Sequence, residues 1–160
     1  MSASWRFGPV ALGWVLGVVA YFAPAWAAWR VLAFGDALNQ DLPLRLLAFG
    51  ALAEGTPPFW NPWTFAGQPL LAAIQVGVLF PGNWGFLVLP PAAAMIAAAI
   101  GAVVVAGLGM LAFGRALGLG RAACLVGAIA FAGSGFMATH LENLQIAQAA
   151  SVAPALLWAV

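Results

Sequence analysis

Two aspartates, Asp36 and Asp41, are the residues of this sequence best suited to chemistry. Both follow the first long apolar segment directly, so we expect them close to a membrane surface. A carboxylate at such a boundary can act as a general base or bind a divalent cation. The competing interpretations are structural: Asp36 as a solvated loop residue, and Asp41 as a helix cap with Arg45 as its ion-pair partner four residues later.

The spacing of the two aspartates limits how they can cooperate. On one continuous α-helix, residues five apart diverge by about 140°. Asp36 and Asp41 therefore converge on one site only if the helix is interrupted between them, and the nearby Gly35 and Asn39 are compatible with such a break.

Two arginines are candidate ligands for a lipid-linked phosphate. Arg30 lies in the last turn of the first apolar segment, and Arg45 follows Asp41 by four residues. A guanidinium at this depth can hold a phosphate through paired hydrogen bonds. The competing interpretation is that each arginine extends to the lipid headgroups or complements a helix dipole.

Aromatic and polar residues of the later loops complete the set of candidates. Trp60 and Trp63 are either interface anchors or a platform for a sugar ring. Asn61, between them, is a further candidate for contact with substrate. His140 is predicted in a solvated turn, and it becomes a candidate binding residue if folding brings that turn beside Asp36.

The composition restricts the class of protein that can carry these residues. The 160 residues include five Arg, no Lys, four acids and one His, so charged residues make up 6%. Ordinary soluble domains contain about 25%. Hydrophobic residues reach 65% and the mean hydropathy is +1.04. A soluble enzyme, a nucleic-acid-binding protein and a disordered chain are therefore excluded, and an integral membrane protein is predicted.

Apolar segments separated by polar turns predict an all-α, polytopic transmembrane helical bundle. The Gly13/Gly17 pair in the first segment has the spacing that lets another helix approach closely. A cleaved signal peptide is the alternative for this first segment. The predicted membrane spans are residues 8–31, 91–113, 122–139 and 144–160.

The region between the first two clear spans, residues 34–90, is predicted as an outer loop with short juxtamembrane helices. Asp41 is expected to cap one such helix, from Leu42 to about Ala53, with Gly55 at its end. Residues 69–89 are apolar enough to cross, but Pro81-Gly82-Asn83 interrupts them, which favours an interfacial or re-entrant segment.

The distribution of arginine orients the predicted bundle. Arg6, Arg115 and Arg121 lie on one side, and we expect that side to be cytoplasmic. The same topology puts all four acids outside. The chain ends on Trp158-Ala159-Val160 within an apolar segment, so we expect the 160 residues to be the N-terminal part of a single, larger transmembrane domain.

The order of several motifs resembles the N-terminal part of the bacterial YfhO-like membrane proteins, members of the GT-C superfamily of glycosyltransferases. The most specific blocks are Trp60-Asn61-Pro62 and Gly67-Gln68-Pro69-Leu70, and the likeness extends from about Phe34 onward. The further blocks are residues 35–43, 55–59, 80–83, 118–121, 131–136 and 154–158.

This resemblance implies transfer of a sugar from a polyprenyl-phosphate donor to a cell-envelope glycopolymer or lipid, on the outer face of the bacterial cytoplasmic membrane. Asp36 matches the acidic motif of the first outer loop, and Asp41 is a possible second member. Some GT-C enzymes use a divalent cation such as Mg²⁺ or Mn²⁺ and others do not, so no metal is assigned. We expect the activity to require more chain than these residues. The alternatives are a lipid or polymer transporter and a non-catalytic membrane scaffold.

Overall fold

A computed structural model describes residues 5–28 and 35–160, and this part of the chain is mostly helical. Two short strands, β1 (Trp60–Asn61) and β2 (Gln68–Pro69), form an antiparallel hairpin. A π-helical turn covers Ala37–Asp41, and 3₁₀ turns cover Ile74–Val76 and Pro81–Leu87. The α-helices are α1 (Phe7–Ala27), α2 (Leu42–Ala53), α3 (Pro91–Ala116), α4 (Arg121–Ala132), α5 (Gly135–Thr139) and α6 (Leu144–Ala159).

In the described part of the chain, three helical segments are long and apolar enough to cross a bilayer: α1, α3 and the segment Arg121–Thr139. They indicate a membrane protein and agree with three of the predicted spans. The fourth predicted span corresponds to α6, which is apolar but has 16 residues. That length is below the roughly 20 residues that cross a hydrocarbon core without tilt.

Helix α3 lies at the centre of the bundle because its small residues allow neighbours to approach closely. Ala102 and Ala106 are fully buried. A Cβ on Gly109 would lie 2.9 Å from the Ala155 nitrogen of α6, and one on Gly114 would lie 3.0 Å from Cys124 Sγ of α4. Only glycine permits these backbone approaches, so α6 and α4 pack directly on α3.

Helix α1 packs on α3 through one aromatic side chain. The indole of Trp14 donates a hydrogen bond to the Val104 carbonyl at 3.2 Å. A Cβ on Gly107 would overlap that ring. The glycine that allows close packing is therefore on α3, whereas Gly13 and Gly17 have no other described residue within 4 Å of an added Cβ.

The third spanning segment, predicted as a single span over residues 122–139, is not one continuous helix. Helix α4 ends at Ala132, and α5 begins at Gly135. The Ser134 side chain accepts a hydrogen bond from the Met137 amide at 3.3 Å and so caps α5.

Residues 35–90 form a layer of short elements against the N-terminal ends of α3 and α6. Helix α2 has the predicted bounds, and Gly55 ends it with φ +74 while the Thr56 amide donates to the Ala51 carbonyl at 2.8 Å. Among the described residues, 69–89 contain 3₁₀ turns and no helix long enough to cross a bilayer.

Candidate functional site

A buried charge pair lies where α2 meets the bundle. Asp41 and Arg45 have 0% exposure, and Arg45 Nη1 is 3.7 Å from Asp41 Oδ2. The same Nη1 donates to Met95 Sδ at 3.8 Å, near the N-terminal end of α3. Within the described part of the chain, both Asp41 oxygens and Arg45 Nε and Nη2 lack a hydrogen-bond partner. The predicted ion pair between Asp41 and Arg45 is confirmed, but the pair is buried. Its polar atoms are only partly satisfied by hydrogen bonds within the described residues.

The predicted cap at Asp41 is wrong, because the chain is already helical before this residue. Asp41 has φ −64 and ψ −49 and makes no capping hydrogen bond. The π-helical turn runs directly into α2, so α2 has no free N terminus at Asp41. The side chain faces the buried junction instead, beside Arg45.

The π-helical turn also decides how Asp36 and Asp41 are related. No break separates them; the Leu42 amide donates to the Ala37 carbonyl, the i to i+5 pattern of a π turn. Asp36 and Asp41 therefore belong to one continuous helical stretch. The two carboxylates differ in setting, since Asp36 is exposed and Asp41 is buried.

Burial is the main influence on the charge of Asp41. It raises the pKa of the Asp41 carboxyl above its usual value, and the Arg45 guanidinium and the Leu144 amide lower it in part. That amide approaches the carboxylate without completing a hydrogen bond. The negative charge of Asp36 raises the pKa further. Burial likewise lowers the pKa of Arg45.

The β1–β2 hairpin presents aromatic side chains. Trp63 and Phe65 are 81% and 90% exposed. Phe65 and Ala66 have φ of 53 and 58, a left-handed backbone that is uncommon outside glycine. Asn61 is buried: its Nδ2 donates to Thr64 Oγ1 at 2.8 Å, and its Oδ1 accepts from the Trp63 amide at 2.9 Å. These bonds shape the turn, so contact of Asn61 with substrate stays a prediction.

His140 ends α5 in the turn before α6. Its Nδ1 is 2.8 Å from the Phe136 carbonyl oxygen, and the two rings stack with centroids 4.3 Å apart. Leu141 and Leu144 pack in one cluster with Ala37. The residues that follow His140 therefore pack with the first residue of the π-helical turn, and a binding role for His140 beside Asp36 stays a prediction.

Other predicted site residues are spread over the same layer. The ring of Trp60 lies across Gly67, where an added Cβ would be 2.6 Å from it. Arg30 lies outside the described residues. Across residues 5–28 and 35–160, no group of three or more His, Cys, Asp or Glu is placed to hold a metal ion.

A buried amide pair was not singled out from the sequence. Asn83 and Gln148 exchange two hydrogen bonds of 3.1 and 2.6 Å, and Asn83 also donates to the Gly77 carbonyl at 2.9 Å. The pair joins the second 3₁₀ turn to α6. The signal available in the sequence was a glutamine within an apolar segment, which must find a polar partner when buried.

Comparisons with protein-family models, curated proteins and solved structures gave no match for this chain. Function is therefore argued from the site. It consists of an exposed carboxylate at Asp36, a buried charge pair behind it, an adjoining histidine turn and an exposed aromatic hairpin.

Proposed function

We propose that this protein is part of a membrane glycosyltransferase, of the GT-C type that its motifs resemble. It would move a sugar from a polyprenyl phosphate to a cell-envelope acceptor at the outer membrane surface. The observation that carries the proposal is Asp36, an exposed carboxylate that follows the spanning helix α1 within ten residues and precedes Ala37, which packs in one cluster with Leu141 and Leu144. Proton transfer from a sugar hydroxyl needs a carboxylate accessible from the water side of the membrane.

The chemistry follows from the position of this base. The Asp36 carboxylate takes the proton of the acceptor hydroxyl as its oxygen attacks the anomeric carbon. The bond from that carbon to the phosphate oxygen breaks on the opposite face, and polyprenyl phosphate leaves with the electron pair. One attack of this kind inverts the anomeric configuration.

Burial divides the roles of the two aspartates. A group with 0% exposure cannot touch the acceptor, so the proposal assigns the base to Asp36 and a positioning role to Asp41. Arg45 is equally buried and holds Asp41. π-Helical turns recur at functional sites, which supports a role for this one in fixing the direction of Asp36.

The remaining candidates have supporting roles. Trp60 and Trp63 offer aromatic faces on which a sugar ring can stack, and His140 is a candidate donor to a sugar hydroxyl. A cation to neutralise the leaving phosphate would come from Arg30 or from a divalent ion such as Mg²⁺ or Mn²⁺.

The test uses the full gene product, purified in detergent and supplied with a panel of polyprenyl-phosphate sugars. General-base catalysis contributes about 10²–10⁴-fold, so we expect Asp36→Asn to lower transfer by at least about a hundredfold. Glu54→Gln is the matched control, because Glu54 is an exposed acid at the far end of α2. Chelation by EDTA tests the divalent ion in the same assay.

Two results would count against this proposal. Equal transfer by wild type and Asp36→Asn would remove Asp36 as the base. The absence of transfer with every donor, from a folded protein, would favour a transporter or scaffold. Among the described candidate spans no Asp or Glu is present, which disfavours ion-coupled transport.

A further inference from the structure

A long apolar groove runs between α1 and α4, with α3 as its floor. Its volume is about 940 Å³. Gly13 and Gly17 form a smooth wall on α1, Leu125 and Ile129 face them from α4, and Val103 lies at the base. Both glycines have open space within 4 Å of an added Cβ, so the described chain does not fill the groove.

The length of the groove is sufficient for lipid acyl chains. Its lining on α1 extends from Pro9 to Phe22, a rise of about 20 Å. One leaflet contributes about 15 Å of hydrocarbon, so an acyl chain can lie along the groove over its full length.

One end of the groove carries a positive charge. Arg121 lines it as the first residue of α4, and it is exposed. Among the described residues, Arg121 makes no hydrogen bond or ion pair, whereas Arg115 donates to the Trp5 carbonyl at 3.1 Å and lies over the Trp5 ring. No side chain caps the N terminus of α4. A guanidinium beside free helix amides is suited to an anionic phosphate.

We propose that this groove binds one anionic phospholipid. The two acyl chains would lie between α1 and α4, and Arg121 with the first turn of α4 would hold the phosphate. The apolar contacts supply affinity, and the arginine supplies preference for a net negative headgroup. This inference is independent of the proposed glycosyl transfer, because none of the described residues assigned to that reaction lines the groove.

Native mass spectrometry of the delipidated protein, titrated with phosphatidylglycerol or phosphatidylcholine, tests the site. We expect one phosphatidylglycerol to bind about fivefold more tightly than phosphatidylcholine, and Arg121→Gln to remove that preference. Gly17→Leu displaces at least two methylene groups of the chains and should weaken both lipids about tenfold.

The two control variants carry the same kinds of substitution, glycine to leucine and arginine to glutamine, at positions that do not line the groove. Gly101→Leu adds a leucine where an added Cβ also meets nothing within 4 Å, and Arg6→Gln removes an exposed arginine before α1 that does not line the groove. Both should bind as wild type. Equal binding by wild type and Gly17→Leu would overturn the proposal, as would equal affinity of wild type for the two lipids. A Gly17→Leu variant that changes oligomeric state and not lipid binding would show that a second copy occupies the groove.

Discussion

Removal of the Arg45 guanidinium is the sharpest test of the buried charge pair. Arg45→Met keeps a long side chain beside Met95 and takes the positive charge away from Asp41. Across the 3.7 Å separation, at an effective dielectric of about 20, the lost attraction is about 4 kcal/mol. Breaking a buried pair from one side costs about 3–5 kcal/mol. We therefore expect the melting temperature in detergent to fall by about 10 °C.

A double variant separates the contribution of the Asp41–Arg45 pair to stability from the cost of leaving the Asp41 charge buried without a partner. Four polar atoms of Asp41 and Arg45 have no hydrogen-bond partner among the described residues. Apolar replacement of both side chains should therefore restore stability, because it removes two incompletely satisfied groups together. We expect Asp41→Leu combined with Arg45→Met to unfold at or above the wild-type temperature.

The pH dependence gives an independent check. Burial raises the pKa of Asp41, so the folded state holds this proton more tightly than the unfolded state. The stabilisation that comes from this tighter protonation is fully present below the pKa of Asp41 in the unfolded state, about 3.9. It is lost as the pH rises through the pKa of Asp41 in the folded state. Loss of Arg45 raises that pKa further, so the penalty of Arg45→Met should grow from acid to neutral pH. A penalty independent of pH, or a double variant as unstable as Arg45→Met alone, would refute the reasoning.

Two further predictions concern contacts that hold the layers together. Gly107→Ala places a Cβ inside the Trp14 ring, so we expect it to lower the free energy of unfolding by about 1–3 kcal/mol and the melting temperature by several degrees. Gly101→Ala on the same helix is the control and should not destabilise the protein. A loss of stability in Gly101→Ala would contradict this assignment. Asn83→Leu leaves the Gln148 amide unpaired and should cost about 1–3 kcal/mol, which Gln148→Leu in the same chain should largely recover in thermal unfolding.

The sequence predicted the apolar helices well because their signal is local. Composition and run length place α1 and α3 within a few residues, and Gly55 marks the end of α2 through its backbone freedom. The helix break at Ser134 was missed. The residues around Ser134 are mostly apolar or small, so the sequence does not distinguish a serine that caps the following helix from a serine buried within one helix.

Packing partners were harder to predict, because they depend on residues far apart in the chain. The Gly13/Gly17 spacing predicts the close approach of another helix, but no other described residue lies within 4 Å of a Cβ added at either glycine. The glycine that does receive α1 is Gly107, one of many small residues in α3. Its importance depends on Trp14, which lies 93 positions earlier in the chain.

The two aspartates show how a local irregularity can change the interpretation of a motif. A spacing of five gives strongly divergent side chains in an α-helix and less divergent ones in a π turn, and here Asp36 is exposed whereas Asp41 is buried. The π turn is stabilised by packing, since Ala37 is buried against Met95 and Leu144 from two other helices. Whether Asp36 and Asp41 act together is therefore decided by α3 and α6, through the surface they offer to Ala37, and not by the residues between the two carboxylates.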